Sequence, residues 1–421
     1  MATPEKRDEK WLWVFVPISA AIGGFSTLLP LYIISLGGTV IDVGNVASAY
    51  SLALIPSSIL WGLAVDRKSE RKPFVTYSYL GITVLLVVGF FVNEIGALLL
   101  LYVCYAVVST AASPAVSLLL IESSQRKTLS MTYAKYSALT LVGTAAGAIP
   151  GAFWTNFLPL RGYFLLCAGF SSLSVILAAK YLVEPVFPLE RKIVALTQDS
   201  LVARLRAFST IFISIPSLED IRSFRKLMRS VFTRHLPLLF LSFFLFFSAA
   251  NLFFTAYTPF LKSRQLEDSG VFTIYSILFI LEAAVFFITG RACSRFGERR
   301  VALAALYIRI VGFSAGVATV LLMLHSSTLL FASMGVTAMT GTAYALYQTS
   351  SSVILFRSLP PGKQGELLGI YSALTGIAAF IGAIASGYLS SYFGYWVTFS
   401  AGTLLVVGCV FSFRSAMREE S

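Results

Sequence analysis

Two ionisable side chains, Glu282 and Arg309, lie inside long apolar runs of this sequence. Glu282 lies 8 residues before Gly290 at the end of its run, and Arg309 lies 8 residues after Val301 at the start of the next. At a rise of about 1.5 Å per residue, both would lie about 12 Å from the same edge of neighbouring antiparallel helices. Charges at such a depth are costly and usually functional.

Two interpretations of this pair are open. In the first, Glu282 and Arg309 form a structural ion pair that lets each charge tolerate its apolar surroundings. In the second, Glu282 lines a cavity and carries a proton or contacts a cationic substrate, while the charge of Arg309 opposes its protonation.

Aromatic and amide side chains in other apolar runs form a second group of candidates. Small-molecule pockets combine mainly apolar walls with a few polar groups. Each of these residues alone is better explained by helix packing, but together they predict a large, mainly apolar pocket. They are Tyr105, Asn251, Tyr257, Tyr344, Tyr347 and Gln348, with Tyr102 and Ser109 close to Tyr105 in sequence.

Motifs for other kinds of chemistry are missing from the sequence. The four cysteines are far apart, and neither they nor the two histidines have a metal-binding spacing. There is no GxxxxGK(S/T) segment, and neither GxSxG nor HExxH occurs, so ATP hydrolysis and an embedded hydrolase have no support. We therefore predict no enzyme activity, no metal and no cofactor.

The elements that position the candidate residues are predicted to be membrane-spanning helices. Of the 421 residues, 57% are hydrophobic and only 12% charged, whereas a soluble domain carries about 25% charged residues. A span needs about 20 apolar residues, and a helix satisfies its own backbone in lipid. Spans one to twelve are predicted at 11–36, 44–65, 74–92, 97–121, 132–157, 162–183, 236–261, 270–290, 301–323, 328–356, 367–389 and 393–413.

The basic residues predict how these spans are oriented. With both termini on one side, 28 of the 32 Lys and Arg residues fall on that side, three fall on the other, and Arg309 is inside a span. Cytoplasmic loops are rich in Lys and Arg, so both termini are predicted to be cytoplasmic, in a prokaryotic cell membrane. This placement explains the net charge of +12 without nucleic acid.

One long hydrophilic segment, 184–234, divides the chain into an N-terminal half, 1–183, and a C-terminal half, 235–421. Apolar residues recur in this segment at helical spacing with basic residues between them, the pattern of amphipathic helices on a membrane surface. We interpret it as a tethering linker, with a regulatory or partner-binding role as the alternative.

The two halves repeat each other. Tyr136–Thr140 (YSALT) recurs as Tyr371–Thr375, an offset of 235, and Gly62–Lys72 matches Gly290–Arg300 at an offset of 228. Two such matches predict two six-helix halves in parallel repeat, an architecture typical of secondary transporters with a site between the halves.

The loop after span two resembles the major facilitator superfamily, whose signature there is G-x-x-x-D-R-x-G-R-R/K. Ser69 and Glu70 depart from it, and the second copy has Ser294 in place of the Asp. The residues that fit are Gly62, Asp66, Arg67, Arg71 and Lys72, and in the second copy Gly290, Arg295, Gly297, Arg299 and Arg300.

The resemblance implies a gate at this loop. Glu122, at the end of span four, would join Asp66 and Arg71 in a charge relay that latches the outward-open state. Ser294 and Arg357 replace the two acids in the second half, so the gate would be asymmetric. The alternative is that these charges only set the topology of the chain.

Span five carries Gly143, Gly147 and Gly151 at four-residue spacing, which suits close helix packing in lipid and partly matches an exporter motif of the superfamily. The resemblance implies alternating-access transport of a small solute by a monomer in the lipid bilayer. We predict proton-coupled export of lipophilic or amphipathic compounds, as in the drug-efflux branch. The alternatives are a metabolite importer or facilitator, for sugars or organic acids, and a non-transporting membrane sensor.

Overall fold

The computed structural model describes residues 9–67, 70–123, 129–182, 235–324, 326–358 and 364–419. This part of the chain contains 12 helices that are long and apolar enough to cross a membrane, and it contains no strand. The predicted all-helical fold with twelve spans is therefore confirmed. The segment 184–234, for which we predict amphipathic helices, lies outside the described residues.

The observed spans agree with the predicted ones to within a few residues at most ends. A short 3-10 helix at Glu9–Val14 precedes span one, and span four consists of two consecutive helices. In order, the bounds are Phe15–Ser35, Val40–Arg67, Lys72–Phe91, Ile95–Thr110 with Ala112–Ser123, Leu129–Phe157, Tyr163–Tyr181, His235–Ser263, Asp268–Phe296, Glu298–Leu321, Ser326–Ser358, Gln364–Phe393 and Tyr395–Glu419.

The two halves pack their spans in the same pattern. Span one packs against spans five and six, span two against span four, and span three against span six. Span seven correspondingly packs against spans eleven and twelve, span eight against span ten, and span nine against span twelve. Spans one and seven are the most enclosed, with 72% and 56% of their most apolar windows buried. The structure therefore has the two pseudo-symmetric halves that the sequence repeat predicts.

The packing of span five on span one shows why small residues are needed there. A Cβ atom on Gly147 would overlap the carbonyl oxygen of Ala20, and Gly143 makes a similar close approach to the carbonyl of Val16. The repeat carries Gly147 onto Gly382, whose Cβ would lie 2.5 Å from the carbonyl oxygen of Ser248 in span seven. The same close helix contact is thus made once in each half.

Span four breaks at Ala111, three residues before Pro114. Pro114 has no N–H to donate, so the helix cannot continue with regular hydrogen bonding through this point. Side chains from two neighbouring spans donate to the carbonyls beside the break: Trp61 donates to Val107 O at 2.8 Å, and Ser78 donates to Val108 O at 2.8 Å. The break is therefore held by hydrogen bonds inside the N-terminal half.

The halves meet mainly where span two packs on span eleven and span five on span eight, with smaller contacts of span seven with spans one and two and of span one with span eight. Two close approaches within the main contacts lie near one membrane face. We call the face at which both ends of the described chain emerge the terminal face, and the opposite one the far face. In the glycine seam, a Cβ on Gly44 of span two would lie 3.0 Å from Gly387 Cα of span eleven. In the ring seam, the Phe272 ring of span eight covers Gly151 of span five and lies 5.0 Å from the Tyr163 ring. Both seams close the far face.

The repeat relates the two seams to each other. An offset of 228 carries Gly44 onto Phe272, and an offset of 235 carries Gly151 onto Ser386, next to Gly387. The two seams between the halves are therefore related by the repeat. One is made by two glycine backbones, and the other by a ring that packs on a glycine.

We predict that Gly151→Ala lowers the melting temperature, because the added methyl group would overlap the Phe272 ring. In a Phe272→Ala background the same change should cost little, which gives a coupling free energy on the order of 0.5–3 kcal/mol. Thermal unfolding of the four proteins in detergent measures this. Gly169→Ala, whose Cβ would meet no described atom within 4 Å, serves as the control, and an equal loss in both backgrounds would contradict the ring seam.

Candidate functional site

Arg309 is a fully buried cation in the middle of span nine, with no exposed surface. Its guanidinium lies over two aromatic faces, 4.2 Å from the Phe246 ring centre and 4.9 Å from that of Phe313. Cation–π contacts of this kind stabilise a desolvated guanidinium. None of its three nitrogens has a hydrogen-bond partner in the described structure, so the N–H edges of the group are unsatisfied.

The two rings around Arg309 are themselves held by other rings. Phe246 of span seven stacks on Tyr347 with centroids 4.0 Å apart, and Phe313 stacks on Phe253 at 4.1 Å. Phe313 lies one helical turn after Arg309, the spacing at which side chains meet on one helix face. The aromatic packing of the C-terminal half therefore fixes the position of the guanidinium.

Glu282 lies in span eight, is half-buried, and interacts electrostatically with Arg309. The structure thus brings the acid and the base into one region, in line with their equal predicted depth. The two side chains form no salt bridge in this structure, because none of the three guanidinium nitrogens of Arg309 has a partner. In this conformation the two charges interact through space rather than through contact.

Tyr347 is fully buried on the side of span ten that faces spans seven and twelve. Its hydroxyl lies 3.4 Å from Ser242 Oγ and 3.8 Å from Cys409 Sγ, and the Cys409 thiol donates to Ser242 O at 3.2 Å. This places Tyr347, a predicted cavity residue, within the packed C-terminal half. Tyr344, one turn earlier, is half-buried and also interacts electrostatically with Arg309.

The remaining predicted cavity residues of the C-terminal half occupy different surroundings. Asn251 donates to Phe247 O of its own helix at 3.0 Å, and Tyr257 is fully buried with an unpaired hydroxyl. Gln348 is half-buried beside the Tyr371 hydroxyl, and its Oε1 atom has no hydrogen-bond donor among the described residues. Of these three, Gln348 combines partial exposure with an unused acceptor.

The N-terminal half contributes a cluster of tyrosines without charge. Tyr50 of span two stacks on Tyr102 of span four with centroids 4.3 Å apart and planes at 18°. Tyr105 lies 5.9 Å from Tyr102 and 4.9 Å from Phe25 of span one. Tyr50 and Tyr102 are half-buried, whereas Tyr105 is buried. Sequence reasoning missed Tyr50, because nothing in span two distinguishes it from a packing residue.

Metal binding has no support in the described residues, among which no group of three or more His, Cys, Asp or Glu side chains could hold an ion. The site therefore consists of a buried arginine, a nearby acid, an amide and aromatic walls.

The sequence profile of the Major Facilitator Superfamily matches residues 12–315 and 239–421, which together cover almost the whole chain. This chain belongs to the major facilitator superfamily. Membership makes it a membrane transporter rather than an enzyme, with a lipid bilayer and a small-molecule substrate as its partners. No curated protein matches the sequence.

Solved structures of superfamily transporters share this fold over nearly their full length. A POT family transporter in complex with 5-aminolevulinic acid is 13% identical with a TM-score of 0.74, covering 96% of this chain and 94% of its own. A mutant of the nucleoside transporter NupG is 15% identical, at 0.70, covering 97% and 100%. The human organic anion transporter MFSD10 (TETRAN) is 17% identical, at 0.65, covering 98% and 100%. At these identities the likeness concerns the fold alone.

The superfamily's loop motif lies at the terminal face. Arg71 is buried, with 2% exposure, and donates to the carbonyl oxygen of Val65 in the last turns of span two, where the helix dipole favours a cation. A Cβ on Gly62 or Gly290 would meet no described atom within 4 Å. Arg295 and Arg299 are exposed, and the Arg295 guanidinium lies 5.4 Å from the Phe296 ring.

The side chains of Asp66, Arg67 and Glu122 lie outside the described part of the structure. The charge relay that the superfamily resemblance implies for Asp66, Arg71 and Glu122 therefore stays a prediction.

We predict that Arg309→Met leaves the melting temperature of this transporter unchanged or raises it. The unpaired guanidinium carries a desolvation penalty, and apolar residues of similar volume often replace buried charges at no cost or with a gain of about 1–4 kcal/mol. Thermal unfolding in detergent measures the change. The control is Phe313→Leu, which should destabilise the wild type more than it destabilises the Arg309→Met protein, since only the wild type loses a cation–π contact. A large loss of stability in Arg309→Met would show that the guanidinium has a strong partner.

Proposed function

We propose that this chain is a secondary transporter that moves a small amphipathic organic solute by alternating access and couples this movement to protons through Glu282. The observation that carries the proposal is the arrangement of Glu282 and Arg309, an acid and a base in one region of the C-terminal half that interact without a salt bridge. Ionisable groups inside spans are typical of proton relays and substrate pathways.

The coupling works through the charge of Glu282. Ionised Glu282 is attracted to the guanidinium of Arg309, and protonated Glu282 is not, so a proton changes the force between spans eight and nine. Span eight is also the span that carries Phe272 of the ring seam. A change in the position of span eight therefore reaches the contact that closes the far face.

The closed far face supports alternating access. The glycine seam and the ring seam both lie at the far-face ends of their spans. Contacts of this kind at one face are expected of one end state of a transporter whose halves rock about a central site.

The half-buried tyrosines support an amphipathic solute, because Tyr50, Tyr102 and Tyr344 offer both apolar rings and hydroxyls. The export direction rests on the partial glycine motif of span five. The contacts of Gly143, Gly147 and Gly151 with Val16, Ala20 and Phe272 account for these glycines by packing as well. A monomer in a prokaryotic cell membrane, with both termini cytoplasmic, remains part of the proposal.

A second candidate function is uptake or facilitated movement of an organic acid, which the unpaired Arg309 favours. The solved structures that share this fold include transporters named for nucleosides and organic anions, as well as a POT family transporter with bound 5-aminolevulinic acid. These structures support a hydrophilic or anionic solute for this chain as much as a lipophilic one.

We predict that Glu282→Gln removes the pH response of the conformational equilibrium. Spin labels at Glu70→Cys and Arg300→Cys, both at exposed terminal-face positions of the two halves, report their separation by double electron–electron resonance in nanodiscs. A Cys104→Ala background removes the exposed native thiol. The distance distribution should shift between alkaline and acidic buffer in the wild type and stay constant in Glu282→Gln.

The control for this measurement is Glu94→Gln, an exposed acid in the far-face turn before span four, which should retain the full pH response. A pH-dependent distance shift that persists in Glu282→Gln would contradict the coupling role of Glu282. The absence of a shift in the wild type and in both variants would contradict proton coupling itself.

A further inference from the structure

We propose that the solute is an organic anion whose carboxylate binds the guanidinium edges of Arg309 and whose aromatic or apolar body lies against Tyr50 and Tyr102. This inference rests on the proposed transport function, and it names the substrate class of the same site.

The first step is the unmet bonding capacity of Arg309. Buried polar groups in proteins are almost always hydrogen-bonded, and an unpaired buried charge is strongly unfavourable. Here every guanidinium nitrogen is without an acceptor in the described structure, although the residue has no exposed surface. Such a group is expected where a ligand supplies the missing acceptor in another state of the molecule.

The second step concerns the part of the Arg309 guanidinium that a ligand can bind. Phe246 and Phe313 border the guanidinium with ring centres 4.2 and 4.9 Å from its carbon, while its N–H donors are unused. The edge of a guanidinium is a rigid fork of N–H donors that matches the two oxygens of a carboxylate. The geometry therefore selects a planar anion that arrives edge-on and disfavours a bulky cation.

The third step concerns Glu282, the carboxylate already near this cation. Glu282 is half-buried and interacts with Arg309 without contact, so it does not occupy the N–H edges. When a solute carboxylate takes that position, Glu282 loses the attraction of Arg309 and binds one free proton from the aqueous phase on one oxygen. One negative charge enters and one proton is bound, so the net charge of the site stays unchanged.

The fourth step is access. Arg309 has no exposed surface, whereas Tyr344 and Glu282, its electrostatic neighbours, are half-buried. Binding at Arg309 therefore requires neighbouring side chains to move, and the half-buried Tyr344 and Glu282 are the interacting neighbours that solvent already reaches. The half-buried Gln348, with its unused Oε1 acceptor, stands on the same span one turn further.

The fifth step concerns the N-terminal half. Its described spans carry no mid-span acid or base, so charge recognition falls to the C-terminal half. The stacked pair of Tyr50 and Tyr102 offers half-buried rings, and aromatic rings favour offset stacking with another ring. An aromatic carboxylate has the acceptor that Arg309 lacks and a ring that suits this pair.

The test uses two matched probes, naphthoate and its neutral amide, naphthamide, with acetate as a small carboxylate. Each is titrated into the purified full-length protein in detergent, and the melting temperature reports binding to the folded state. We expect naphthoate to raise the melting temperature, naphthamide to leave it unchanged, and acetate to act only at higher concentration.

Variants assign this binding to Arg309. Arg309→Lys should weaken naphthoate binding about tenfold or more, because a lysine cannot form the bidentate contact, and Arg309→Met should abolish it. Glu282→Gln should bind naphthoate more tightly and with less dependence on pH. The control is Arg161→Lys, a far-face arginine 4.9 Å from the Phe90 ring, which should bind as the wild type does.

The outcomes separate this inference from the proposed function. Equal binding of naphthoate and naphthamide, or unchanged naphthoate binding by both Arg309 variants, would overturn the anion site. A pH-dependent conformational change would still support transport in that case. Conversely, Arg309-dependent naphthoate binding with no uptake or counterflow of labelled naphthoate in proteoliposomes would support the site and overturn transport.

Discussion

Lipid offers no hydrogen-bond partners, so each polar group of this chain must find a partner within the protein. Carbonyls beside the break in span four accept hydrogen bonds from the indole of Trp61 and the hydroxyl of Ser78. The Tyr163 hydroxyl donates to Gly147 O. Among the buried side-chain atoms of the described residues that lack a partner, the three guanidinium nitrogens of Arg309 form the largest group on one side chain, and our proposals start from them.

Most of the fold could be predicted from the sequence, because span length, apolar content and the distribution of basic residues are local properties of the chain. The break in span four was not predicted, because a proline alone does not decide it: Pro30, Pro56 and Pro150 lie inside unbroken helices. The seams between the halves could not be predicted, because they depend on which faces of distant helices meet. Nothing in the sequence around Gly44 indicates that its backbone packs against that of Gly387.

The sequence predicted how deep the site residues lie in the membrane. It did not predict which neighbouring helices their side chains face. Counting residues from the helix ends placed Glu282 and Arg309 at one level, and the structure brings them together without contact. Phe313 could have been found from its spacing to Arg309. By contrast, span seven is largely apolar and span ten mixes apolar and hydroxyl residues along its length, so periodicity could not show that Tyr257 and Tyr347 face the interior of their own half.

The unlike construction of the two seams has a mechanical consequence. Two glycine backbones in close approach can part only when their helices move, whereas the other seam depends on the side chain of Phe272, which has rotatable bonds of its own. The two seams therefore differ in the kind of motion that separates them. Side-chain motions and rigid-body helix motions occur on different timescales, so the two sides of the far face need not open at the same rate.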